Sequence, residues 1–123
     1  MERPLAKHSR DDVLKIYDRL IAGTSGFERK GKAMPYTSIN GNMCSFVDPD
    51  GQLCLRFSDR DLAAFQERFA APPVLQYGRV MKGYAAVPEA LLNDEPALAG
   101  WFERMVANAR ALKPKPTKRK RVN

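Results

Sequence analysis

Between Met34 and Phe57 apolar and polar positions alternate with a period close to two, broken at two places where the chain has the residues for a sharp turn. In Ile39-Asn40-Gly41-Asn42 the central Asn-Gly pair suits a two-residue type I′ hairpin, which requires positive φ at both central positions. Asp48-Pro49-Asp50-Gly51 suits a type I turn closed by a left-handed glycine, with Asp48 facing Gln52 across a glycine bulge. Three antiparallel strands follow from this pattern. Because strand side chains alternate, Met43, Ser45 and Val47 then share a face with Leu53, Leu55 and Phe57, and carrying the pairing back through Asn40-Gly41 adds Met34, Tyr36 and Ser38. That face is the expected core. Pro35, Thr37, Ile39, Cys44, Phe46, Gln52, Cys54 and Arg56 fall on the other face, which is mixed rather than polar.

Helical spacing flanks this meander. Ser9 with Asp12 forms a capping-box start, and Val13, Ile16, Tyr17, Leu20 and Ile21 recur at helical intervals until Gly23. Ser58 caps a second helix with the stripe Leu62, Phe65 and Phe69, ended by Pro72-Pro73. Val74 to Tyr77 and Met81 to Val87 read as two strands around Gly78. A helical turn from Pro88 to Leu92 precedes Asp94, the N-cap of a final helix that tolerates Pro96 in its first turn. Leu98, Trp101, Phe102, Met105, Val106, Ala109 and Leu112 form its apolar stripe, opposite Glu103, Arg104, Asn108 and Arg110. The order α-β-β-β-α-β-β-α, with antiparallel pairing and helices on one face, predicts a two-layer α+β domain over residues 1–112.

Composition fits one soluble domain: 123 residues, 44% hydrophobic and 28% charged, with apolar runs far short of the roughly 20 residues a membrane span needs. Met1 to His8 contains no apolar signal region, so the cytoplasm is the expected location. Two cysteines and one histidine suggest neither a disulfide scaffold nor a metal site, and no cofactor is expected. The net charge of +7 changes meaning once located. Lys113, Lys115, Lys118, Arg119, Lys120 and Arg121 sit in a low-complexity, acid-free tail (113–123), leaving fifteen bases against fourteen acids in residues 1–112. Any attraction for nucleic acid is therefore expected to reside in these six residues and to be independent of base sequence.

The hairpin Asn40-Gly41-Asn42-Met43, the strand Gln52-Leu53-Cys54-Leu55-Arg56, the strand Tyr84-Ala85-Ala86-Val87-Pro88 and the final helix with Trp101 resemble the TfoX N-terminal domain family, over about Gly31 to Ala111. In bacteria that family is associated with regulation of natural competence. The resemblance implies an α+β fold in the same element order, often a homodimer, and no catalytic residues. The chain differs in having Ala33-Met34-Pro35-Tyr36 where the family has a glycine-rich entry, and in lacking a counterpart to the second helical domain of full-length competence regulators.

Candidate chemistry is sparse. Gly26-Phe27-Glu28-Arg29-Lys30-Gly31-Lys32-Ala33 follows a phosphate-loop spacing until Ala33, where a hydroxyl is needed, and a helix precedes it where a strand should. Asp48 and Asp50 have the spacing of paired carboxylates, but both suit their turn. Asp11, Asp12, Asp59 and Asp61 complement helix dipoles, and His8 has no adjacent acid or nucleophile in sequence. Arg29, Lys30, Lys32, Arg56, Arg79 and Lys82 read as solvated cations, and Tyr36, Tyr77, Tyr84, Phe46 and Trp101 as packing residues. Cys44 and Cys54 are expected to be free thiols, diagonal to one another on one sheet face. Ile39, Cys44, Phe46 and Cys54 make that face apolar enough to suggest a homodimer contact. The expected function is thus a small non-enzymatic regulatory or accessory domain that associates with nucleic acid through its tail. The alternative is a dimeric protein-interaction module with no nucleic-acid role.

Overall fold

The computed structural model describes residues 8–24, 26–71, 73–76 and 78–112. Asn40 and Gly41 both take positive φ, 53° and 82°, as a type I′ turn demands, and join β1 (Tyr36–Ile39) to β2 (Asn42–Val47). The second turn leads to β3 (Leu53–Arg56) and is built as its residues dictate. Gly51 has φ 88°, the Asp48 amide donates to the Gln52 carbonyl at 3.0 Å, and Asp48 Oδ1 accepts from the amides of Asp50 and Gln52 at 2.9 Å each. Those bonds account for Asp48 being buried, and give it a turn-forming role.

The register of β2 on β3 pairs Ser45 with Leu55, Phe46 with Cys54 and Val47 with Leu53, as the alternation predicts. The register of β1 on β2 does not stay regular. Thr37 pairs with Ser45, but Ser38 pairs with Met43, so Cys44 is an extra residue opposite nothing. This β-bulge reverses part of the expected face assignment. Thr37, Ile39 and Cys44 lie on the side of the helices, whereas Met34, Tyr36 and Met43 pack on the far side with Phe46 and Cys54. Ser38, opposite Met43, follows it to the far side. The cause is counting: one inserted residue shifts the phase of a period-two pattern for every position beyond it.

Helices cover one face. In α1 (Arg10–Ala22) the Ser9 hydroxyl and the Asp12 carboxylate complete a reciprocal capping box, and Val13, Ile16, Tyr17, Leu20 and Ile21 are buried. In α2 (Asp59–Phe69), Ser58 caps through the Asp61 amide, and Ala70 ends the helix in the left-handed region at φ 50°. The five-stranded antiparallel sheet runs β1-β2-β3-β5-β4, with β4 (Pro73–Gln76) at one edge beside β5 (Arg79–Ala86). Then the helical turn expected after Pro88 forms α3 (Glu89–Leu92), before α4 (Glu95–Ala111). The molecule is α+β. Val47, Leu53, Leu55, Phe57 and Cys44 meet the stripes of α1, α2 and α4 in one core, and a smaller cluster of Phe46, Cys54, Val74, Tyr84 and Ala86 fills the far side.

Phe65 anchors the junction of α2 with α4. It is fully buried, its ring lies 5.1 Å from both Phe57 and Trp101 and 4.8 Å from Phe69, and the Trp101 contact is edge-on. Trp101 packs against this core from the apolar stripe of α4 but is only partly buried. Phe65→Ala is therefore expected to cost ~3–5 kcal/mol in equilibrium denaturant unfolding, and Trp101→Ala less, because part of its ring stays in water.

Candidate functional site

The hydroxyls of Thr37 and Ser45 and both thiols are turned inward. Thr37 and Ser45, brought opposite one another by the bulge, share a hydrogen bond between hydroxyls, and Ser45 shares a second with the Tyr17 hydroxyl at 2.6 Å. Thr37 also meets the Cys44 sulfur at 3.3 Å. All four residues are buried. Burial pushes the Tyr17 hydroxyl up to about 12, so it stays protonated and acts as a hydrogen-bond partner inside the core. This chain was not foreseen from sequence, because it depends on Thr37 and Ser45 facing the same way. In sequence Thr37 lies beside Ser38 in β1 and Ser45 stands among the apolar residues of β2, with nothing to mark the two as partners.

The two thiols are free and buried, but on opposite sides of the sheet. The expected diagonal pair on one face is thus corrected by the same bulge. Burial raises both thiol pKa values, Cys54 to about 12 with the Asp48 carboxylate adding to the effect, while the Thr37 hydrogen bond partly offsets it at Cys44. The group proposed for a homodimer contact divides in the same way. Ile39 and Cys44 pack toward the helices, whereas Phe46 and Cys54 lie in the far cluster with no exposed surface. These four residues do not form one contact surface. What the far face shows to solvent is a rim of partly buried Met34, Tyr36, Met43 and Met81.

Charges are local. His8 Nδ1 lies 2.8 Å from Glu89 Oε1, and its backbone amide donates to the same oxygen at 3.1 Å, which ties the approach to α1 onto α3. This acid partner is remote in sequence and could not be read there. Arg29 bonds Asp18, Arg19 bonds Glu95 and Arg104 bonds Asp61, all exposed ion pairs of small individual worth. Arg29, Lys30 and Lys32 lie beside β1, whereas Arg56 is on β3 and Arg79 and Lys82 on β5, so the six cations do not gather. Lys113, Lys115, Lys118, Arg119, Lys120 and Arg121, and also Tyr77, lie outside the described residues. The loop 26–33 has α1 before it and β1 after it, the reverse of a phosphate loop.

A cleft of about 860 Å³ beside α4 is lined by Phe69, Leu91, Trp101, Arg68 and Arg104 among others. It is open, and its two arginines stack on Phe69 and Trp101 at 5.8 and 5.0 Å from the ring centroids. A second cleft of about 350 Å³ holds His8, Glu89, Asp48 and Asp50, with Asp48 already committed to its turn. Among the described residues no group of three or more His, Cys, Asp or Glu is placed to hold a metal ion, and no helix is long and apolar enough to cross a membrane.

A thiol-reactive chromogen at pH 8 is expected to react slowly with the native protein and to count two thiols at once in guanidinium. Rapid stoichiometric labelling of either cysteine in the folded state contradicts the placement of both sulfurs. Comparison with known proteins adds no identity: no family model, no curated protein and no solved structure matches the chain.

Proposed function

We propose that the chain is a small, non-enzymatic regulatory or accessory domain of the cytoplasm that associates with nucleic acid through the basic segment following α4. The placement of charge carries this reading. Six cations and no acid follow Leu112, while the rest of the chain is close to neutral. Such a segment attracts phosphate by releasing condensed counterions, and that attraction carries no base preference. The folded part supports the reading from the other side, since its hydroxyls, thiols and turn carboxylate are spent on internal hydrogen bonds. The resemblance to the TfoX N-terminal domain points the same way, toward regulation and away from catalysis.

A second reading, a homodimeric protein-interaction module, is favoured by the apolar rim of the far sheet face, where Met34, Tyr36, Met43 and Met81 remain partly exposed. One experiment separates the two. Random-sequence fluorescent duplex is titrated with the full chain and with a version ending at Leu112, at several salt concentrations. If about five of the tail charges meet phosphate, the full chain should show a log affinity against log salt slope near −4, lost on truncation and unchanged by base composition. Equal affinity and slope for both chains would overturn the nucleic-acid reading and give the lead to the second.

A further inference from the structure

The two edges of the sheet are finished differently. On the outer side of β1, Lys30 and Tyr36 exchange two backbone hydrogen bonds, of 2.8 and 2.9 Å, so the loop before the strand occupies that edge. On the outer side of β4 no strand or loop backbone pairs among the described residues. An edge of this kind is a template for another extended chain.

The side chains beside this edge are equally unfinished. Leu75 and Val80 are directly opposed across β4 and β5 and are 58% and 59% exposed, the two large hydrophobic residues that stand out in solvent among those described. Their exposure has a local cause. Between the pairs Pro73↔Ala85 and Leu75↔Val80, β4 has the single residue Val74 and β5 has Met81 to Tyr84, with Gly83 at φ 87°. The arch in β5 interrupts the ladder between the end of the hairpin and the rest of the sheet, and a paired apolar couple is left exposed there.

Charge selects the occupant. From Arg68 to Pro88 the sequence contains no acid, and Arg79 and Lys82 are both exposed with no ion pair among the described residues. A second copy of β4 would bring no acid to these cations, because its own stretch from Arg68 to Pro88 has none, and this disfavours a second copy. A phosphate backbone would satisfy the cations but leave Leu75 and Val80 in water. An extended peptide with alternating apolar and acidic residues satisfies the open backbone, the apolar couple and the cations at once.

We propose that β4 is a docking edge that takes such a peptide from another protein as a sixth, antiparallel or parallel strand, a mode in which main-chain bonds supply affinity and alternate side chains supply specificity. This inference is independent of the tail's role. The test uses the full chain, ¹⁵N-labelled, and a synthetic octapeptide alternating valine and glutamate, with a control peptide of the same composition whose glutamates form one block, and a valine–lysine counterpart. The alternating acidic peptide is expected to shift the amides of Leu75 and Gln76 most and to slow their hydrogen exchange. Leu75→Lys and Arg79→Glu, both at exposed positions, should each weaken binding about tenfold while leaving the thermal midpoint unchanged. The proposal is overturned by absence of binding at millimolar peptide, by equal binding of the block or lysine peptide, or by shifts confined to other surfaces. It is also overturned if random-sequence duplex produces the same shifts at Leu75 and Gln76, or if sedimentation shows a dimer that Leu75→Lys abolishes.

Discussion

A single unpaired residue, Cys44, sets which side chains of β1 and β2 face the helices. With Thr37 opposite Ser45 and Ser38 opposite Met43, the ladder must absorb one extra residue, and Cys44 turns its sulfur into the helix-side core with the two hydroxyls beside it. Those hydroxyls would be costly to bury singly, at roughly 1–3 kcal/mol for an unsatisfied group. Joined to Tyr17 from α1 they satisfy one another, and no side-chain nitrogen or oxygen is left buried without a partner among the described residues. The same bulge sends Tyr36 and Met43 to the far side, where Met43 offers its carbonyl to the Tyr84 hydroxyl at 2.6 Å and the smaller cluster assembles around Phe46. Both halves of the core therefore depend on one insertion in one strand.

The parts of the fold legible in sequence are those encoded by local chemistry. Asn40-Gly41 and Asp48 to Gly51 dictate their turns through positive φ and side-chain bonds, Ser9 and Ser58 cap their helices, and the stripes of α1 and α4 mark their buried sides. From Ser45 to Phe57 the alternation also holds, because the tight turn at Gly51 fixes the register directly. The bulge has no such mark. Nothing about Cys44 distinguishes an extra residue from a paired one, so alternation alone places Met34, Tyr36, Ser38 and Met43 on the opposite face from the one they take. The arch of β5 is a second case: Gly83 allows it, but that four residues of β5 stand opposite the single Val74 cannot be read from strand alternation.

The surface that remains for recognition has a consistent chemistry. Both thiols and the Thr37 and Ser45 hydroxyls are withdrawn into the core, and the exposed ion pairs balance one another. Runs of sequence with bases and no acid follow Leu112 and span Arg68 to Pro88, the second carrying Arg79 and Lys82 on β5 beside β4. The segment after Leu112 is a run of charge in sequence, whereas β4 has an open backbone edge among the described residues and an apolar couple. Attraction without sequence preference suits the first, and a defined peptide register suits the second.

The bulge is tested most directly by a double-mutant cycle between Thr37→Val and Ser45→Ala, read by denaturant unfolding. Each change alone removes one hydroxyl of a buried pair and leaves its partner underused, so the two losses should overlap, with the double variant more stable than the sum of the singles by ~1 kcal/mol. In a regular ladder Thr37 and Ser45 stand on opposite faces of the sheet and have no reason to couple. Additivity within ~0.3 kcal/mol would contradict the bulge and, with it, the division of the core into its two clusters.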